Sequence, residues 1–232
     1  ASDWSSDVCS SDLGNPDMII LPGTKNTMED LLWMRENGLE ARILKEAAKG
    51  KLIFGICGGY QMLGETLSDP YQVEAGGTIK GMGLLPMDTV FAKKKTRTRV
   101  EGSFGYLEGS YRQLGGTRLE GYEIHMGETI LKGNAKPATS IEDSVTGEQK
   151  QDGAYWENVC GTYVHGVFDK EAVAEGIVRI IGEKKGLDVS QMEGMDFQAF
   201  KETQYDILAA ELRKHLDMKK LYQILDEGIQ EI

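Results

Sequence analysis

The chain has 232 residues, of which 27% are charged, and a formal net charge of -11, enough to bury one good core with room for a small appendage. Its acidity argues against nucleic acid or an anionic membrane as the main partner, and no apolar stretch reaches the roughly 20 residues of a membrane span. Three cysteines (Cys9, Cys57 and Cys160) without regular spacing describe neither a disulfide framework nor a zinc site, so no metal is expected and a reducing cytoplasm fits.

Residues 1–13 form a Ser/Asp-rich repeat with no period that would bury anything and no basic start or apolar core of a signal peptide. They read as a non-native leader, and residues 14–232 as the genuine domain. Asp17 to Leu21 predicts a buried strand, and Pro22-Gly23-Thr24-Lys25 the loop after it. Thr27 with an acid three residues on resembles a capping box opening a helix through about Arg35. Leu39, Ile43, Leu44 and Ala47 predict a second helix ending at Gly50. Leu52 to Ile56 then reads as a strand, and Gly58 to about Leu67 as a helix. Strand and helix in alternation mean α/β with a parallel sheet, whose ligands bind beyond the carboxyl ends of the strands, where Gly23 and Cys57 both fall.

From Gly76 to about Gly161 the pattern changes to many glycines and short β-rich runs (89–92 and 98–100), which predict antiparallel strands laid over the α/β core. Gly161-Thr162-Tyr163-Val164-His165-Gly166 predicts a strand running into a loop. Beyond Lys170 the chain reads as helical, with Tyr205, Leu208, Leu212, Leu216, Leu221 and Ile224 at helical spacing and a surface connection within 182–195. No G-x-x-x-x-G-K-[ST] phosphate loop occurs, so nothing here binds ATP in that manner.

Cys57 carries the chemistry. An apolar run followed by Gly55-Ile56-Cys57-Gly58-Gly59 describes a strand turning sharply into a helix with the thiol at the bend, where flanking glycines permit close packing. At a helix N-terminus, backbone N–H groups and the dipole favour thiolate over thiol and can hold a developing oxyanion. A buried structural cysteine is the bland alternative. A nucleophilic cysteine needs a base. His215 lies in a Lys/Arg-flanked helical stretch and reads as solvated. His165, ending a strand before a glycine, is the expected base. His125 either lines the same cleft or packs between loops. Cys160 reads as core, and Lys93-Lys94-Lys95-Thr96-Arg97-Thr98-Arg99 as a solvated hairpin rim or, alternatively, a face for a partner domain.

The segments Leu21-Pro22-Gly23-Thr24-Lys25, Gly55-Ile56-Cys57-Gly58-Gly59-Tyr60-Gln61 and Thr162-Tyr163-Val164-His165-Gly166 together resemble a class I (triad-type) glutamine amidotransferase domain. Gly121 to Gly127 and the tail from Tyr205 to Arg213 are similar to the cobyric acid synthase branch of that family. The resemblance implies a flavodoxin-like parallel sheet flanked by helices, truncated at the N-terminus, with antiparallel strands inserted in the middle and C-terminal helices. It implies that Cys57 attacks the amide of L-glutamine, that N–H groups near Gly23 and Gly58 hold the oxyanion, that His165 moves the proton, and that Gln61 lies near the glutamine pocket. Many relatives carry His-x-Glu, but Val167 stands there, leaving Asp169 and Glu123 as candidates for a third member. No cofactor is expected on this domain. ATP and Mg would belong to a missing synthetase domain that carries the corrinoid substrate. Another amidotransferase of the same branch, or a non-catalytic binding module, are the competing readings.

Overall fold

The computed structural model describes residues 13–189 and 197–228. All of the expected leader except Leu13 lies outside them; Leu13 packs against the core. The chain divides into two compact units, Ala1–Glu193 and Gly194–Ile232.

In the first unit, β1 (Met18–Leu21) leads into α1 (Thr27–Glu36) and α2 (Leu39–Ala48), followed by β2 (Leu52–Ile56) and the short α3 (Gly58–Met62). The strands β3 (Thr66–Asp69), β4 (Gly77–Lys80) and β5 (Met87–Phe104) come next, then a 3-10 helix at Gly109–Leu114. After it run β6 (Arg118–Leu131), β7 (Thr139–Asp143), β8 (Gln149–Asp152), β9 (Ala154–Trp156), β10 (Val159–Thr162), β11 (Val164–His165) and α4 (Glu171–Lys184).

Two sheets result. The first has the order β1-β2-β10-β9, with β1, β2 and β10 parallel and β9 antiparallel. Its register pairs Leu21 with Gly55 and Gly55 with Gly161. That alignment puts the Gly23 loop, Cys57 and Thr162 at one carboxyl edge, where a parallel sheet binds ligands. On β2, Leu52 and Phe54 enter the core shared with Val173, Ile177 and Ile180 of α4, while Ile53 enters the core with Met28, Leu31 and Ile43 of α1 and α2. Burial on both faces is why β2 reads as an unbroken apolar run.

The second sheet is ordered β11-β6-β5-β3-β4, with β7 on β5 and β8 on β7. The two β-rich runs expected around 89–100 are one strand, β5, because four residues (92–95) face the single Met126 of β6. This bulge interrupts the alternation of side chains and hides the continuity. Lys93, Lys94 and Lys95 are exposed on it, Lys93 over the ring of Tyr71 at 5.3 Å.

Two local expectations are corrected. Asn26, not Thr27, caps α1, its side chain accepting from the Glu29 N–H at 3.2 Å. The helix expected through Leu67 stops at Met62, because β-branched Thr66 and its neighbours pair instead with β4 and β5.

The second unit comprises α5 (Phe197–His215) and α6 (Met218–Glu227), the latter capped by Asp217 on the Lys220 N–H at 3.0 Å. His215 is exposed on α5 beside Glu211. Of the expected 182–195 connection, 190–195 lie outside the described residues, and α4 runs to Lys184.

Candidate active site

Cys57 sits at the bend between β2 and α3 with φ 51° and ψ -111°, one of three described non-glycine residues at positive φ. Such a conformation is strained and persists only where surroundings over-determine it. Here the Cys57 N–H donates to the Thr162 carbonyl at 2.9 Å, and the Gly59 N–H to the Pro22 carbonyl at 3.1 Å. A Cβ on Gly59 would lie 2.1 Å from the Leu21 carbonyl oxygen, so only glycine lets α3 approach β1 this closely.

The three residues expected to act together are together. A Cβ built on Gly23 would stand 3.5 Å from Cys57 Cβ and 2.8 Å from His165 Cε1, so the thiol-bearing residue and the imidazole both border the space that a Gly23 side chain would fill. His165 pairs with Tyr122 across β11 and β6, and the two rings stack at 5.1 Å. Burial and the neighbouring His125 hold the His165 imidazole below its ordinary range, with an Ile124 backbone contact pulling the other way. Its neutral, proton-accepting form is thereby favoured.

The thiol differs from expectation. Cys57 Sγ donates to the Ile124 carbonyl at 3.5 Å, and burial pushes the thiol up to about 11. The Gly58 N–H draws it down, while the carboxylates of Glu74, Asp152 and Glu123 add to the rise. A helix of five residues offers too little dipole to prevail. At rest, Cys57 is held as the protonated thiol.

Gln61 lies buried beneath the elbow. Its Oε1 accepts from the Thr27 hydroxyl at 3.0 Å, and its Nε2 donates to the Tyr163 hydroxyl at 3.3 Å. Gly58 abuts the same corner, since a Cβ there would be 3.1 Å from Thr27 Oγ1. His125, on β6, is stacked on Tyr163 at 3.8 Å, with Nδ1 against the Gly127 carbonyl at 2.9 Å. On β6, Tyr122 and Ile124 share one face and Glu123 and His125 the other. Glu123 is buried and engaged by His125 at 3.4 Å and Lys150 at 2.7 Å. Burial raises its carboxyl, but these partners bring it below the ordinary range overall. Asp169 lies in the turn beyond β11, its N–H donating to the Gly166 carbonyl at 2.8 Å.

Sequence reasoning missed four contributors. Asp152, buried, accepts from the Thr162 hydroxyl, from the Thr139 hydroxyl at 3.2 Å and from the Tyr163 N–H at 3.2 Å, and burial raises its carboxyl. It fastens the crossing from β10 to β11 that delivers His165. Tyr163 and Thr27 join Gln61 in one buried chain of hydrogen bonds. Glu74 accepts from the Thr27 hydroxyl and the Met28 N–H, each at 3.1 Å. Its loop is folded around Asp69, whose carboxylate takes the N–H groups of Val73, Glu74 and Gly76 at 2.7–3.0 Å. An aspartate followed by proline and a Gly-Gly pair was a readable turn signal. Among the described residues no group of three or more His, Cys, Asp or Glu could hold a metal ion, and no helix is long and apolar enough to cross a membrane.

The profile of the CobB/CobQ-like glutamine amidotransferase domain matches residues 5–173. Cobyric acid synthase of Ruminiclostridium cellulolyticum is 51% identical over 222 residues, covering 95% of this chain and 43% of that protein. The same-named protein of Lachnoclostridium phytofermentans is 49% identical over 230 residues, covering 94% and 44%. The chain thus spans less than half the length of these curated relatives. Among solved structures, PurLQS from Thermotoga maritima shares the fold, with a TM-score of 0.53 at 20% identity over 75% of this chain and 82% of that one.

Proposed function

Because this chain belongs to the CobB/CobQ-like glutamine amidotransferase family, we propose that it is the glutaminase part of an enzyme of the cobyric acid synthase kind, with Cys57 and His165 as its catalytic residues. The observation that carries the reading is the convergence of Cys57, Gly23 and His165 at one sheet edge.

In this reading His165 accepts the thiol proton as Sγ attacks the side-chain carbonyl carbon of glutamine. The thiol must first leave the Ile124 carbonyl for the imidazole, a catalytic contact of the kind that tightens when substrate is bound. The N–H groups of Gly58 and Gly23 receive the oxyanion. The C–N bond then breaks, and His165 returns the proton to the departing ammonia. Water, deprotonated by the same imidazole, cleaves the thioester, releasing glutamate and restoring the thiol. Gln61 and Tyr163 keep the floor of the site fixed. A carboxylate as third member is dispensable where Tyr122 stacking and the Ile124 contact already orient the imidazole.

The name shared by the relatives supports the larger assignment. Ammonia passes to an ATP- and Mg-using synthetase part, which amidates carboxylates of a corrinoid acid. A free thiol nucleophile and a second free cysteine, Cys160, suit a reducing cytoplasm. The test is amidation by the full-length protein with ATP, the corrinoid acid and either glutamine or an ammonium salt. Cys57→Ala is expected to abolish the glutamine-supported reaction and keep the ammonium-supported one. Glutamine-supported amidation surviving in that variant would refute the assignment and favour a non-catalytic module.

A further inference from the structure

Cys57 and His165 hang on different sheets. Cys57 follows β2 of the first sheet, whereas His165 ends β11, which pairs with β6 of the second. The chain passes from one sheet to the other within a single residue, Tyr163, between the end of β10 at Thr162 and the start of β11 at Val164. The conformation of that step sets how far the imidazole stands from the thiol.

Leaving one ladder for another strands backbone donors, which need partners when buried. Side chains supply them here. The Tyr163 N–H donates to Asp152 Oδ1 at 3.2 Å, and the Val164 N–H to Thr162 Oγ1 at 3.0 Å. The Thr162 hydroxyl in turn donates to Asp152 Oδ2, while the Thr162 carbonyl takes the Cys57 N–H at 2.9 Å. One threonine thus holds the backbone of the nucleophile with its carbonyl and that of the residue before His165 with its hydroxyl.

Asp152 comes from the other side of the junction. It lies on β8, in the second sheet, and the Thr139 hydroxyl of β7 also donates to it. The next residue, Gly153, has a φ of 69°, and a Cβ there would lie 2.2 Å from the Gly161 carbonyl oxygen. Glycine alone lets this turn press so closely on β10 and bring the carboxyl group to the crossing. Asp152 is buried, its hydrogen bonds come from neutral donors, and among the described residues it forms no ion pair. A carboxyl group in such surroundings opposes folding, and closing a core would need only an apolar side chain. Its place at the one-residue crossing gives it a different task.

Resting on the glutaminase reading above, we infer that Asp152 and Thr162 are positioning residues of the reaction, a clasp between the two sheets that holds His165 within reach of Cys57. Neither touches substrate in this account. Both act through the backbone of the crossing, so their loss shows in the turnover of bound glutamine and leaves its binding alone.

The test is steady-state glutamine hydrolysis by the full-length protein, with kcat expressed per folded molecule and the folded fraction taken from thermal unfolding. Thr162→Val keeps the shape and the carbonyl that takes the Cys57 N–H, but it strands the Val164 N–H and frees Asp152. A misplacement approaching about 1 Å predicts a fall in kcat of about 10- to 100-fold, with KM for glutamine nearly unchanged. Thr162→Ser restores the hydroxyl and should recover kcat to within about threefold of wild type. Asp152→Asn opens the clasp from the other side and serves if Thr162→Val yields no soluble protein. The two changes together should cost no more than the worse one alone, because they undo one interaction. Wild-type kcat in both Thr162→Val and Asp152→Asn overturns the inference and leaves the glutaminase reading intact, as does a Thr162→Ser enzyme no faster than Thr162→Val. Absence of glutamine hydrolysis in the wild-type protein would instead strike that reading.

Discussion

Gly23→Ala separates catalysis from stability at this site. The added methyl would meet His165 Cε1 at 2.8 Å, about 0.7–1.2 Å inside the comfortable carbon–carbon separation of roughly 3.5–4.0 Å. The clash is with a side chain at the edge of its strand, so the ring can yield, at a stability cost of about 1 kcal/mol. Yielding moves the imidazole away from Cys57 by about 1 Å, a displacement that can cost on the order of 100-fold in rate. Gly59→Ala is the matched control. Its methyl would sit 2.1 Å from the Leu21 carbonyl oxygen, a backbone atom in the middle of the fold, and the expected cost is about 3 kcal/mol. Thermal unfolding should then show a fall of roughly 2–4 °C for Gly23→Ala and roughly 6–12 °C for Gly59→Ala. Glutamate release should show the larger kcat loss for folded Gly23→Ala, with KM for glutamine nearly unchanged. In a His165→Ala background, Gly23→Ala should cost little more, since the contact is gone. A Gly23→Ala enzyme with wild-type kcat would refute the placement of His165 as the base.

Further outcomes follow from the electrostatics and the α1 cap. Cys57, with its thiol raised to about 11, should be alkylated slowly at neutral pH, with a rate that keeps rising beyond the roughly 8.5 of a free cysteine; a plateau near pH 8, read by mass spectrometry, would contradict its burial. Cys160, fully buried with its thiol raised further, should stay unlabelled in the folded protein. Because burial and His125 lower the pKa of His165, the base stays deprotonated to lower pH, and kcat/KM should lose activity only below about pH 6.5. His125→Gln removes the repulsion, so that acid limb should move upward in pH; a downward move or none would count against the coupling. Asn26→Ala should cost about 1 kcal/mol by losing the α1 cap, whereas a stability loss following Thr27 alone in thermal unfolding would contradict the cap observed.

Much of this was legible in the sequence because the relevant signals are local. Cys57 could be placed at an elbow from one apolar run and its glycines, and His165 at a strand end from Thr162, Tyr163 and Gly166. The α1 cap was misplaced by one residue because Asn26 and Thr27 are both good cap residues. Only the contact of Thr27 with Gln61 and Glu74, from distant parts of the chain, decides between them. The raised thiol was out of reach for a similar reason. The thiol's environment is made by the Ile124 carbonyl and three carboxylates 17 to 95 residues away in sequence, and no local spacing encodes that. The continuity of β5 was masked by its own bulge, which looks like a loop until β6 is laid beside it.

The most direct test of the central claim is glutamate release from glutamine by the full-length protein and by Cys57→Ala, with His165→Ala alongside. The account predicts turnover by the wild-type protein, none above background for Cys57→Ala, and a loss of at least about 100-fold for His165→Ala. Release by Cys57→Ala at the wild-type rate would contradict it, because the nucleophile would then lie elsewhere.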